Sequence, residues 1–143
     1  MIKLKNAGSV FLITSTNLTT TSKGRLLVVD DETDIVTVVK SGLQRHGYDV
    51  DGFSDPYEAL ANFKKDRYDL ILLDIKMPKM NGFELCHEIS KIDEDAKKGF
   101  MSAFEVSLDD AILVYPTLKA LFFLRKPISV QKMVEQIRAF ASN

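Results

Sequence analysis

Short apolar runs punctuate the chain from residue 23 onward, and their length restricts the fold more than any other feature. Leu26-Leu27-Val28-Val29, Leu70-Ile71-Leu72-Leu73, Gly99-Phe100-Met101 and Leu121-Phe122-Phe123-Leu124 stand out, with a weaker segment from Tyr48 to Phe53. Runs this short, apolar at every position rather than at alternate ones, suit parallel strands covered on both faces. Stretches of helical period lie between them. Ile35, Val38, Val39, Leu43 and His46 fall on one helix face. Val130, Met133, Val134, Ile137 and Ala141 fall on another, with Ser129 placed to cap that helix. Asp55-Pro56-Tyr57-Glu58 sets a cap, a first-turn proline and a capping-box acid ahead of Ala59, Leu60 and Phe63. Asn81 and Glu84 repeat that cap ahead of Leu85, Ile89 and Ile92. A poorly marked helix is placed near Leu108 to Val114, because Pro116 disfavours helical geometry at Tyr115. Strand and helix alternating five times predict an α/β fold, a doubly wound five-stranded parallel sheet with helices on both faces.

Several classes of function fall away on composition. The 143 residues suit one domain, and 19 basic against 20 acidic side chains leave a net charge of −1. A domain built to neutralise many phosphates is strongly basic, so no direct nucleic-acid binding is expected. No run of 18 apolar residues occurs, so nothing in the sequence is read as spanning a membrane. Cys86 is the single cysteine, which precludes an intrachain disulfide and favours a reducing, cytoplasmic setting. Residues 1–23 differ from the rest: Lys3, Lys5 and Lys23 without an acid, and Ser or Thr at seven of nine positions from Thr14 to Ser22. Such low complexity does not pack a core, and the segment reads as a flexible extension or an extra edge strand ahead of a domain at 24–143. Its apolar cluster, Val10 to Ile13, is too short for a signal peptide and follows Gly8 and Ser9.

In a doubly wound sheet, functional groups gather on the loops after the strand carboxyl ends. Those loops carry Asp30-Asp31-Glu32, Asp74, Ser102 and Arg125-Lys126-Pro127. Carboxylates converging on one sheet edge repel one another, and a hard divalent cation relieves that. Lys126 adds a cation and Ser102 a hydroxyl for phosphate oxygens. Together they read as a phosphoryl-transfer site with a carboxylate nucleophile. Singly, each has an ordinary reading: Asp30 to Glu32 as helix caps, Asp74 as a turn starter before Met77-Pro78, Ser102 as a satisfied hydroxyl, Lys126 as a surface lysine. Cys86, His87 and the distant His46 offer no zinc spacing, and Gly82 and Gly99 read as turn or helix-start glycines.

The segments Leu26 to Glu32, Asp69 to Gly82 and Lys126-Pro127 resemble the receiver domain of bacterial and archaeal response regulators, a likeness covering about residues 24 to 141. It implies a flavodoxin-like fold that accepts a phosphoryl group from a sensor histidine kinase or phosphotransfer protein and signals to an unidentified output protein. On that likeness Asp74 is the phosphoacceptor. Asp31 binds Mg²⁺ directly, Asp30 acts through metal-bound water, and the backbone carbonyl of Lys76 is a third ligand. Ser102 and Phe123 form the hydroxyl–aromatic switch, and Lys126 bonds the phosphoryl group. Ser replaces the commoner Thr at 102, and Phe replaces the common Tyr at 123. With no DNA-binding domain after Asn143, a receiver standing alone is expected. In the family, side chains two positions after the phosphoacceptor and after the switch hydroxyl tend to govern hydrolysis. Here they are Lys76 and Phe104, so Phe104 either shields phosphorus and prolongs the phosphoryl state or packs into a neighbouring helix. A receiver-like module working through phosphorylation-independent contacts stays open as the alternative.

Overall fold

The computed structural model describes residues 10–12, 19–116 and 118–141. Near the N-terminus, β1 (Val10–Leu12) and β2 (Thr19–Thr21) pair antiparallel as a two-stranded sheet of their own. These strands therefore pair with each other and not with the edge of the main sheet. Residues 1–9 and 13–18 lie outside the described residues.

The main sheet has five parallel strands in the order β4-β3-β5-β6-β7. They are β3 (Arg25–Val29), β4 (Asp49–Phe53), β5 (Leu70–Asp74), β6 (Lys98–Ser102) and β7 (Ala120–Arg125). The helices α1 (Thr33–Arg45), α2 (Pro56–Asn62), α3 (Gly82–Ile92), α4 (Leu108–Val114) and α5 (Val130–Ala141) alternate with them. Successive strand side chains point to opposite faces, so one apolar run serves two cores. Leu26, Val28, Leu70 and Leu72 pack with Val39 and Leu43 of α1 and Met133, Val134 and Ile137 of α5. Leu27, Val29, Ile71 and Leu73 face the opposite way, onto Ala59 of α2 and Leu85, Cys86 and Ile89 of α3. Full burial of each such aliphatic side chain contributes about 1.5–3 kcal/mol.

The helix caps form as their residue types dictate. Asp55 accepts the Tyr57 N–H at 2.8 Å, and Asn81 with Glu84 closes a reciprocal capping box on α3. Ser129 Oγ accepts the Lys132 N–H at 3.1 Å, and Ser107 caps α4, which spans the predicted Leu108–Val114.

Three expectations need correction. Val38 is 61% exposed, because α1 turns Val36, Val39, Gly42 and Leu43 inward instead. At the helix ends, Ile92 is also exposed and His46 sits as the C-cap of α1, its Nδ1 at 2.9 Å from the Gly42 carbonyl. Gly99 is neither a turn nor a helix start. It lies inside β6, where the Phe122 ring fills the space a Cβ would need. Cys86 is buried as expected, and burial pushes its thiol pKa up. Beside it the buried Lys98 donates from Nζ to Ser90 Oγ at 2.9 Å.

Candidate functional site

The strand ends bring the acids together. Asp30 follows β3 directly, its N–H held by the Phe53 carbonyl at 3.2 Å, and Asp74 closes β5. Ser102 closes β6, and its carbonyl accepts the Lys126 N–H at 2.6 Å just beyond β7. β3 is flanked by β4 on one side and β5 on the other, so its carboxyl end opens into the crevice that a doubly wound sheet leaves for ligands. Gly82 completes the arrangement from α3. A Cβ there would strike the carbonyl of Asp74, so only glycine lets the helix start this close to the central acid.

Oxygen atoms of Asp30, Asp31 and Asp74 lie within 4.8 Å of one another, and this is the cluster of three potential metal-ligating side chains among the described residues. Asp30 and Asp74 are buried and Asp31 is exposed. Lys126 Nζ stands 2.6 Å from Asp30 Oδ2, 3.4 Å from Asp74 Oδ1 and 3.7 Å from Glu32 Oε1. Burial, together with the charge of Asp30, pushes the Asp74 carboxyl up to about 7, against the opposing pull of Lys126. Burial works against the Lys126 charge too, but Asp30 and Asp74 outweigh it and raise its pKa. One cation among three carboxylates leaves negative charge uncompensated.

The ordinary readings of Asp30 to Glu32 and of Lys126 do not describe what they touch, whereas Ser102 does have the satisfied hydroxyl of its ordinary reading. The N-cap of α1 is Glu32, which makes no side-chain cap bond, so the acidic run is not a capping device. Asp30 Oδ1 accepts the Glu32 N–H at 2.9 Å. Its Oδ2 is buried without a hydrogen bond and meets Lys126 as an ion pair. A buried carboxylate oxygen held by one ammonium, beside two further carboxylates, belongs to an oxygen donor set suited to a hard divalent cation. Lys126 itself is largely buried among these acids.

Ser102 and Phe123 share a hollow of about 230 Å³ with Phe104, Glu105 and Val106. Ser102 Oγ, buried, accepts the Phe104 N–H at 3.1 Å. Phe123 stacks on Phe100, with ring centroids 5.5 Å apart. Phe104 is 43% exposed and does not pack into a helix. It lines a cavity of about 500 Å³ with Asp31, Glu32, Asp74, Lys76 and Lys126, and Lys76 Nζ stands 5.7 Å from its ring. Sequence reasoning missed the parts played by Glu32 and Gly82. The signals were present in the Asp-Asp-Glu run and in a glycine opening a capped helix.

Residues 26–138 match the response regulator receiver domain family. The chain belongs to that family. A response regulator receiver domain protein (CheY-like) from Methanospirillum hungatei JF-1 is 30% identical and superposes with a TM-score of 0.71 over 81% of this chain and 91% of that one. The response regulator protein TrrA from Thermotoga maritima, solved in complex with Mg²⁺ and beryllofluoride, is 32% identical with a TM-score of 0.66, over 80% and 96%. A probable transcriptional regulator, ycf27, from Porphyridium aerugineum is 33% identical over 82% of this chain and 48% of its own length. The chain spans half or less of the length of the first curated relatives it matches. Receiver domains are signalling modules that partner with histidine kinases, and the acidic triad is typical of their Mg²⁺ site. Among the described residues no helix is long and apolar enough to cross a membrane.

Proposed function

We propose that this receiver domain accepts a phosphoryl group on Asp74 in a Mg²⁺-dependent reaction and thereby changes its affinity for a partner protein. The observation that carries the reading is the buried Asp74 set against Asp30, Asp31 and Lys126 at one sheet edge. The donor is a phosphohistidine on a sensor kinase or phosphotransfer protein. An Asp74 carboxylate oxygen bonds to phosphorus as the phosphorus–nitrogen bond breaks, and the imidazole nitrogen leaves with the electron pair and takes a proton from water. Asp31, Asp74 and the Lys76 backbone carbonyl would hold Mg²⁺ directly, and Asp30 would do so through water. When bound, the cation neutralises the acid cluster and the charge spread over the transferring oxygens.

Lys126 binds a phosphoryl oxygen, and Ser102 donates its hydroxyl to another. The hollow between Ser102 and Phe123 gives the aromatic ring room to turn inward once the hydroxyl moves. The phosphoryl group drives that shift by binding the rearranged state better. An apolar groove of about 460 Å³ beside the site, lined by Ile35, Val39, Ile128 and Met133, offers a protein partner a contact surface. The working unit is taken as residues 24–143, acting in the cytoplasm, with residues 1–23 appended to it.

Intact-mass measurement after incubation with a small phosphodonor and Mg²⁺ tests the reading. One phosphoryl mass is expected on the unsubstituted chain and none on Asp74→Asn or after chelation. Equal labelling of the Asn variant would refute the assignment.

A further inference from the structure

Five aromatic rings stand in series from the switch pair to the outer surface of α3. Phe123 of β7, which lines the hollow beside Ser102, stacks on Phe100 of β6 with centroids 5.5 Å apart and planes 21° apart. Phe83, from the first turn of α3, lies 5.0 Å from Phe100. Tyr115, the C-cap of α4, lies 5.8 Å from Phe83, and the exposed His87 of α3 ends the series 6.4 Å from Tyr115. The spacings among the phenylalanines and the tyrosine all fall in the range of about 4.5–7 Å where such rings attract. Phe83, Tyr115 and His87 do not line the acidic cavity. α4 is held lightly: among its described side chains Ala111 alone is buried, and Leu113 and Val114 are exposed.

We propose that Phe83 and Tyr115 act as a remote brake on phosphorylation, because the ring series is complete only while Phe123 keeps its resting position. The phosphoacceptor reading of Asp74 is the premise. When Phe123 turns into the hollow, its ring swings to another staggered position and leaves the face of Phe100. Phe100 is fully buried, and a close-packed interior does not keep the vacated space empty. Phe100 therefore moves toward the gap, Phe83 follows it, and Tyr115 loses its seat on α3. The stacks exist in one state and weigh against the phosphorylated one. Coupling of this kind is reciprocal: if phosphoryl binding unseats Tyr115, removing the Tyr115 ring eases phosphoryl binding by the same factor. His87, at the open end of the series, registers the change.

The chain has two histidines, so its imidazole proton spectrum carries one reporter at the end of the series and one away from it, His46 at the C-cap of α1. The full chain is titrated with beryllofluoride, a tetrahedral stand-in for phosphoryl, at saturating Mg²⁺, with His87→Gln used to assign the two resonances. The His87 resonance is expected to shift as beryllofluoride binds, and that of His46 to stay in place. Phe83→Leu and Tyr115→Leu should each lower the half-saturating beryllofluoride concentration about two- to tenfold, the worth of one ring pair. Tyr115→Phe keeps the ring and should leave the midpoint where it is. An unmoved His87 resonance in the unsubstituted chain, or midpoints unchanged or raised in both Leu variants, would overturn the proposal. If the unsubstituted chain shows no bound fluorine resonance with beryllofluoride and Mg²⁺, the phosphoacceptor reading itself fails and this one with it.

Discussion

Replacing Asp74 by Asn keeps the shape of the side chain and removes the charge that the folded protein accommodates worst. Burial and the neighbouring Asp30 raise the Asp74 carboxyl from an ordinary 3.8 to about 7. At about 1.36 kcal/mol for each tenfold change in proton affinity, that difference corresponds to about 4 kcal/mol of destabilisation when the group is ionised. The sign follows from where the proton sits. Between pH 3.8 and about 7 the folded chain holds a proton that the unfolded chain has lost, so stability falls as pH rises through that window and is level above it. That net rise already contains the opposing attraction of Lys126 at 3.4 Å, and water reaching the cavity discounts the figure. The Asn variant is therefore expected to be more stable than the unsubstituted protein by about 2–3 kcal/mol at pH 8, and nearly equal to it at pH 4. Urea unfolding in the presence of a chelator, at pH 4, 6 and 8, measures this directly. Magnesium should erase the difference, because a ligand at a hundred times its dissociation constant stabilises the unsubstituted protein by about 2.7 kcal/mol. An Asn variant no more stable at pH 8, or equally stabilised at pH 4 and pH 8, would show that the acid cluster is not under the electrostatic strain inferred from its geometry.

Four further outcomes are expected. Ser102→Ala should still be phosphorylated but show smaller chemical-shift changes across residues 104–126, and unchanged perturbations would contradict the coupling to Phe123. Phosphorylated protein should decay slowly, since the half-exposed Phe104 ring at the cavity mouth cannot orient water; Phe104→Gln should hasten the decay, and an unaltered rate in intact-mass time courses would refute the shielding. Gly99→Ala should cost about 1–3 kcal/mol by overpacking against the Phe122 ring, and Phe122→Leu should recover part of that loss in a double-mutant cycle read by denaturant midpoints. Burial opposes the Asp51 charge, but the Tyr68 hydroxyl at 2.7 Å and Arg67 hold its pKa below 3.8, so its stabilisation is present above that pH and lost as pH falls through the lowered value; Tyr68→Phe should cost about 1–2 kcal/mol at pH 7 and flatten the acid limb of the stability–pH curve.

The primary structure by itself determined the alternation of strand and helix, because runs such as Leu70 to Leu73 are too short and too uniformly apolar for anything but strands covered on both sides. It also determined the caps, since Asp55, Asn81 and Ser129 act on backbone groups only two or three residues away. The candidate acids were legible for the same reason: each stands at the end of its own run. Only the tertiary structure decided what lies between elements distant in sequence. The helical period of α1 admitted Val38 to its apolar face, and the angle at which α1 lies on the sheet excluded it. Gly99 belongs to the Gly99-Phe100-Met101 run, but nothing local says why its side chain must be missing; the ring that occupies that space comes from β7. Lys98 at the start of β6 looks like a surface residue until α3 closes over it and Ser90 supplies the partner its buried ammonium requires. Likewise, whether Phe104 packed inward or stood at the cavity mouth depended on where two loops met, and there Lys76 met its ring. Local backbone chemistry acts over a few residues and is written in their order, whereas charge pairing and steric exclusion act through space and exist only after the chain has folded.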